Sequence, residues 1–147
     1  MRYRSVLALC LLISAGVFSS AIVLSNGARA ENDPVYSVVD GRVDQNTFNG
    51  YRRYGESCLR CHGPDGAGSS YAPDLTQSLK SMSYEAFANT VINGRKNVTQ
   101  TANNVMPAFG TTEDVALYLD DIYGYLKARS DDKLARGRPK RVTDDAD

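Results

Sequence analysis

The chain has 147 residues, 17 basic and 17 acidic side chains, and 42% apolar residues. These are the values of one ordinary globular domain, and they exclude a disordered chain, a collagen and a multi-span membrane protein. The balanced charge argues against a general nucleic-acid binder, and three Cys, one His and no Trp leave few side chains for metal or redox chemistry.

Residues 1–30 read as a secretory signal peptide. Arg2 and Arg4 make a positive start, Ser5 to Leu24 is a mostly apolar run without charge, and Ala28-Arg29-Ala30 has the small-x-small form of a cleavage site. The competing reading is a single membrane anchor, since about 20 apolar residues can cross a bilayer. Ser14, Gly16, Ser19, Ser20 and Ser25 thin the run and favour cleavage near Ala30, with no stable span. Cleavage removes Cys10 and leaves Cys58 and Cys61, with 14 basic and 17 acidic side chains over residues 31–147. The expected destination is the periplasm, an oxidising compartment. So short a chain has a limited core of its own, and a buried cofactor would help it fold.

Residues 31–45 read as an irregular lead. A first helix is expected from about Asn46 to Arg60, with Phe48, Tyr51, Tyr54, Cys58 and Leu59 at helical spacing. Gly63-Pro64-Asp65-Gly66-Ala67-Gly68 ends it and opens a loop running through Pro73. A second helix is expected from Ser83, an N-cap, with Glu85 in its first turn and Gly94 at its C-terminal end. Residues 95–110 show no regular pattern. A third helix is expected from Thr111 or Thr112, where Thr111 and Asp114 resemble a capping box; Val115, Tyr118, Leu119, Ile122, Tyr125 and Leu126 follow at spacings of three and four. No strand pattern stands out. The expected fold is all-α, about three main helices plus long loops, with a domain over 46–129 and a charged tail over 130–147. The tail reads either as a solvated extension or as a strap or docking arm.

Cys58-Leu59-Arg60-Cys61-His62 carries the chemistry. The C-x-x-C-H pattern reads as a c-type haem attachment site. Two thiols three residues apart reach the two vinyl groups of one porphyrin, and the following imidazole is placed beneath the iron. A zinc site would need about four ligands; a redox Cys-x-x-Cys would sit beside a βαβ pattern, which is absent; a plain disulfide leaves the only His here by accident. Met82 and Met106 are the candidates for the second axial ligand. Met106 is favoured, because it lies in an Asn-rich loop stiffened by Pro107, whereas Met82 suits core filling. Arg95 and Lys96 read either as neighbours of a haem propionate or as a solvated pair, and Arg52 and Arg53 as contacts to a propionate, a partner or solvent.

These residues resemble the class I cytochrome c family from about Asn46 to Arg129. Gly50 and Tyr54 match the glycine and aromatic that pack the family's N-terminal helix on its C-terminal one, where Ile122 and Tyr125 match the partners. The resemblance implies that the Pro73 carbonyl orients His62, that Met106 in Met106-Pro107-Ala108-Phe109 is the distal ligand, and that one haem c is covalently bound at Cys58 and Cys61. Asn49-Gly50-Tyr51-Arg52-Arg53-Tyr54, Gly63-Pro64-Asp65-Gly66, Ser69-Ser70-Tyr71-Ala72-Pro73 and Gly137-Arg138-Pro139 are similar to strings in periplasmic cytochromes of methylotrophic bacteria. That likeness implies a one-electron carrier, not an enzyme. Its expected donor is a quinoprotein (pyrroloquinoline-quinone) methanol or alcohol dehydrogenase, and its acceptor a downstream cytochrome or terminal oxidase. The competing function is a haem enzyme or gas sensor with an open sixth position.

Overall fold

The computed structural model describes residues 35–98 and 103–145; the signal segment read over 1–30 lies outside the described residues. Helices dominate, as the expected fold class requires. In chain order they are α1 Gln45–Ser57, α2 Leu59–His62, α3 Leu75–Ser78, α4 Tyr84–Asn93, α5 Glu113–Leu117 and α6 Leu119–Ser130. No helix among the described residues is long and apolar enough to cross a membrane.

The crossing of α1 on α6 organises the core. A Cβ on Gly50 would lie 1.9 Å from the carbonyl oxygen of Asp121, so only glycine lets the two backbones approach this closely. Around the crossing sit Phe48, Tyr54, Ile122, Tyr125 and Leu126, all buried. Their rings interlock: Tyr125 stands edge-on to Tyr51 and tilted against Tyr54, at 5.6 Å between centroids in each case. Asp44 caps α1 by accepting the Thr47 N–H at 2.8 Å, so the helix starts at Gln45, one residue before the expected Asn46.

The first helix is not continuous to Arg60. It breaks at Cys58 and restarts as the single turn α2, which leaves Cys58 half-buried, Cys61 exposed and His62 buried. A helix not anticipated, α3, follows Asp74, whose carboxylate accepts from Thr76 N at 2.7 Å and Gln77 N at 3.2 Å. The end of α6 is tied to it by Ser130 Oγ, which donates to the Thr76 carbonyl at 2.7 Å. Helix α4 begins and ends as read: Ser83 Oγ accepts the Ala86 N–H, and Gly94 leaves the helix at φ +73°.

Five short strands among the described residues correct the strandless expectation. β3 Arg95–Val98 and β4 Asn103–Met106 pair antiparallel, with Arg95 opposite Met106. Their residues, Arg-Lys-Asn-Val and Asn-Asn-Val-Met, carry no alternation of apolar and polar, so nothing local announces a hairpin. β1 Val38–Val39 pairs antiparallel with β2 Arg42–Val43, and β2 pairs in parallel with β5 Lys140–Arg141. The third predicted helix is two. It breaks at Tyr118, whose ring faces the Arg53 guanidinium at 4.5 Å, and Thr112 caps α5 without a side-chain hydrogen bond, so the anticipated capping box does not form.

Residues 131–145 run back along the domain. Leu134 is 3% exposed, the Arg129 guanidinium donates to the Leu134 carbonyl, and the guanidinium groups of Arg138 and Arg141 face the Phe48 ring at 5.5 and 5.0 Å.

Candidate functional site

Helix α2 presents the three residues of the motif differently. Cys58 and Cys61 are free thiols. Burial first, and the neighbouring Cys61 second, push the Cys58 thiol up to about 11, so it is a neutral thiol at pH 7. His62 is 8% exposed, and its Nδ1 lies 3.1 Å from the Pro73 carbonyl oxygen. A carbonyl only accepts, so Nδ1 carries the proton and Nε2 keeps its lone pair for a metal.

The loop from 63 to 73 is built to deliver that carbonyl. Gly68 N–H donates to the His62 carbonyl at 2.8 Å, and Ser69 N–H to the Ala72 carbonyl at 2.9 Å. Ser69 Oγ donates to the Cys61 carbonyl and accepts the Tyr71 N–H at 3.0 Å. A Cβ on Gly63 would lie 2.3 Å from the Gly68 carbonyl oxygen, and one on Gly68 2.7 Å from the Asp74 nitrogen, so the loop closes only with glycine at both positions. From inside, the Tyr54 hydroxyl donates to the Gly63 carbonyl and accepts the Gly66 N–H at 3.0 Å. Burial raises this hydroxyl well above the ordinary tyrosine range, which keeps it a donor.

Met106 ends β4, is half-buried, and packs against the hydrophobic core. The chain after it is pinned to the end of α4, where Phe109 and Gly110 N–H groups donate to the Val91 and Ile92 carbonyls at 2.9 and 3.0 Å. These are carbonyls that a helix end leaves without partners. Gly94 is needed for the same approach: a Cβ there would lie 2.7 Å from the Met106 carbonyl oxygen and 2.8 Å from the Ala108 nitrogen. Met82 is also half-buried against the core, one turn after α3, its N–H donating to the Ser78 carbonyl at 3.2 Å.

The arginine readings narrow. Arg53 pairs with Glu56 at 2.8 Å and Asp114 at 3.3 Å, and Arg52 approaches Glu56 at 4.0 Å, so both lie within ion pairs of the chain itself. Arg95 and Lys96 are exposed on β3. Sequence reasoning missed Ser69 and Asp65, and took Gly94 as a helix cap only. The signal for Asp65 was its place in a Pro-Asp-Gly turn.

This donor set fits iron already held by a porphyrin. Two unpaired thiols on one turn and an imidazole whose Nδ1 faces a carbonyl suit a tethered haem. No group of three or more His, Cys, Asp or Glu among the described residues could cage a bare metal ion.

Comparison with known proteins agrees. The family described as cytochrome c oxidase, cbb3-type, subunit III matches residues 45–126. Cytochrome c-553I of Paracoccus denitrificans is 50% identical over 119 residues, covering 80% of this chain and 53% of that protein. Cytochrome c-555 of Methylococcus capsulatus is 41% identical over 96 residues, covering 65% of this chain and 72% of that protein. The crystal structure of the c-type cytochrome XoxG from Methylobacterium extorquens AM1 superposes with a TM-score of 0.64 at 38% identity, covering 76% of this chain and 75% of that one. The chain thus spans about half the length of the Paracoccus protein and about three quarters of the other two. With the haem motif and the α1–α6 crossing both in place, the chain belongs to the cytochrome c family as a class I monohaem member, whose cofactor is covalently bound haem c.

Proposed function

We propose that this chain is a one-electron carrier in which Cys58 and Cys61 tether the haem, His62 and Met106 are its axial ligands, and Pro73 orients His62. The observation that carries the reading is the committed imidazole: His62 is buried, next to two free thiols, with Nδ1 on the Pro73 carbonyl and Nε2 left over. When bound, haem c supplies Fe(III)/Fe(II) chemistry. The residues of the chain limit rearrangement around it. Pro73 fixes the imidazole tautomer and raises the basicity of the ligand. Pro107 and the hydrogen bonds of Phe109 and Gly110 to α4 hold the segment that carries Met106.

The donor in this proposal is a quinoprotein methanol or alcohol dehydrogenase, and the acceptor a downstream cytochrome or terminal oxidase, all in the periplasm. Support comes from the strings shared with methylotroph cytochromes and from the likeness to the Methylococcus and Methylobacterium proteins. Residues 31–126 hold 7 basic and 12 acidic side chains, and residues 127–147 hold 7 basic and 5 acidic. Encounter with the donor is therefore expected to depend on ionic strength.

The test mixes purified holoprotein with a quinoprotein dehydrogenase and follows haem absorbance after methanol is added. Reduction dependent on both enzyme and alcohol, with a rate that varies with salt, supports the donor assignment. No reduction by any such enzyme removes it. A bare polypeptide mass from a host able to mature c-type cytochromes removes the tethering assignment as well.

A further inference from the structure

We propose that Asp65 is a positioning residue for the loop that follows His62, and that the C-terminal arm holds it in place. The inference rests on His62 being the proximal ligand. Asp65 is the third residue after His62, is buried, and sits at φ +61°, in the left-handed region that Asn and Asp tolerate better than most side chains. Its carboxylate faces the arm. Gly137 N–H donates to Oδ1 at 3.0 Å, and Arg136 Nε donates to Oδ2 at 3.2 Å.

The arm can bear on Asp65 because it is anchored on both sides of that contact. Before it, the Leu134 side chain is buried and its carbonyl accepts from Arg129. After it, Lys140–Arg141 forms the parallel pairing with Arg42–Val43. The turn that carries Asp65 is gripped from the other side by the Tyr54 hydroxyl, through the Gly63 carbonyl and the Gly66 N–H. Two segments distant in sequence, α1 and the arm, therefore close on the residues immediately after His62.

The two contacts to Asp65 are unequal. The Arg136 side chain is 68% exposed, so water and salt screen its ion pair. The Gly137 N–H is a backbone donor directed at a buried oxygen, and its loss would leave that oxygen without its partner. The carboxylate also carries a negative charge, with the exposed Arg136 as its ion-pair partner, at a position three residues along the chain from His62; a negative charge near the iron would favour the oxidised, more positive form when haem is bound. Asp65 therefore acts in two separable ways: its oxygen holds the arm to the loop, and its charge bears on the potential.

Three variants of the holoprotein separate these actions, read by amide hydrogen exchange and by the midpoint potential. Asp65→Ala is expected to speed exchange at Gly66 and Gly137 by about tenfold, leave α4 unchanged, and raise the potential. Asp65→Asn keeps Oδ1 as an acceptor; it is expected to hold both amides near wild-type exchange and still raise the potential. Arg136→Gln is expected to change exchange at Gly137 by less than about threefold. The proposal is overturned if wild-type residues 134–141 exchange like a free peptide, if Asp65→Ala leaves Gly66 and Gly137 protected, or if Asp65→Asn leaves the potential where it was. A wild-type protein without a pyridine haemochrome spectrum refutes the underlying ligand assignment instead, a result that none of the variant measurements can imitate.

Discussion

Replacing Gly50 by alanine puts a methyl carbon 1.9 Å from the Asp121 carbonyl oxygen, 2.4 Å from its carbon and 3.0 Å from the Ile122 nitrogen. All three atoms are backbone, so no side chain can swing aside, and α1 must separate from α6 by more than 1 Å. That opens the packing of Tyr54 and Ile122 against the facing helix. Overpacking of this kind costs about 1–3 kcal/mol, and a clash against rigid backbone belongs at the upper end, about 3 kcal/mol. For a domain of this size that lowers the melting temperature by roughly 10 °C. Gly55 lies on the same helix with nothing within 4 Å of its would-be Cβ. Gly55→Ala removes only glycine's conformational freedom, and should stabilise by about 0.5–1 kcal/mol. Thermal unfolding of the two holoproteins, followed by far-ultraviolet circular dichroism, makes the comparison. Equal melting temperatures for the two variants, or a Gly50→Ala protein as stable as wild type, would refute the close-crossing argument.

Three further perturbations follow from the site and its supports. Met106→Ala should let the ferrous protein bind carbon monoxide at neutral pH and abolish the weak far-red band of the oxidised protein; a wild type that binds the gas equally well would favour the open-site reading. Tyr54→Phe leaves the Gly63 carbonyl and the Gly66 N–H without their buried partner, and should cost about 2 kcal/mol in urea unfolding, whereas an unchanged midpoint would show that the hydroxyl supports nothing. Asp74→Ala removes the cap of α3 at a cost of about 1 kcal/mol. Hydrogen bonding, from the Thr76 side chain above all, holds the Asp74 carboxyl below its ordinary value. Its contribution is thus complete above about pH 4 and fades as pH falls through the lower folded value. The difference in melting temperature between wild type and Asp74→Ala should be constant from pH 6 to 7 and shrink in acid; a difference that grows in acid has the wrong sign.

The parts legible in the sequence were those fixed by local chemistry or by a spacing that admits one solution. Ser83 and Gly94 bound α4 because a cap and a positive-φ exit are decided within a few residues. Gly50 and Tyr54 were matched by resemblance to the family's helix-crossing residues, and the close crossing occurs at Asp121. Pro73 was placed by resemblance, and its carbonyl lies within hydrogen-bond distance of His62. The illegible parts depend on distant partners. Arg95–Val98 becomes a strand because the segment ending at Met106 folds back along it, and that return is set by carbonyls of α4. The break at Tyr118 accompanies a contact with Arg53 on another helix. The basic stretch after Arg129 was open to two readings, a solvated extension or a strap, and its sequence could not decide between them because Asp65, which meets it, lies 71 residues earlier in the chain.

The parallel pairing of Arg42–Val43 with Lys140–Arg141 has a consequence for the order of assembly. A polypeptide that emerges from its amino end first offers Val43 no neighbour on that side until Lys140 and Arg141, almost a hundred residues later, have been released. Helices α1 to α6 can gather beforehand, from contacts nearer in sequence. Closure of this small sheet then follows the gathering of the helices, and removing Lys140 and Arg141 would deny the fold that seam while sparing α1 to α6.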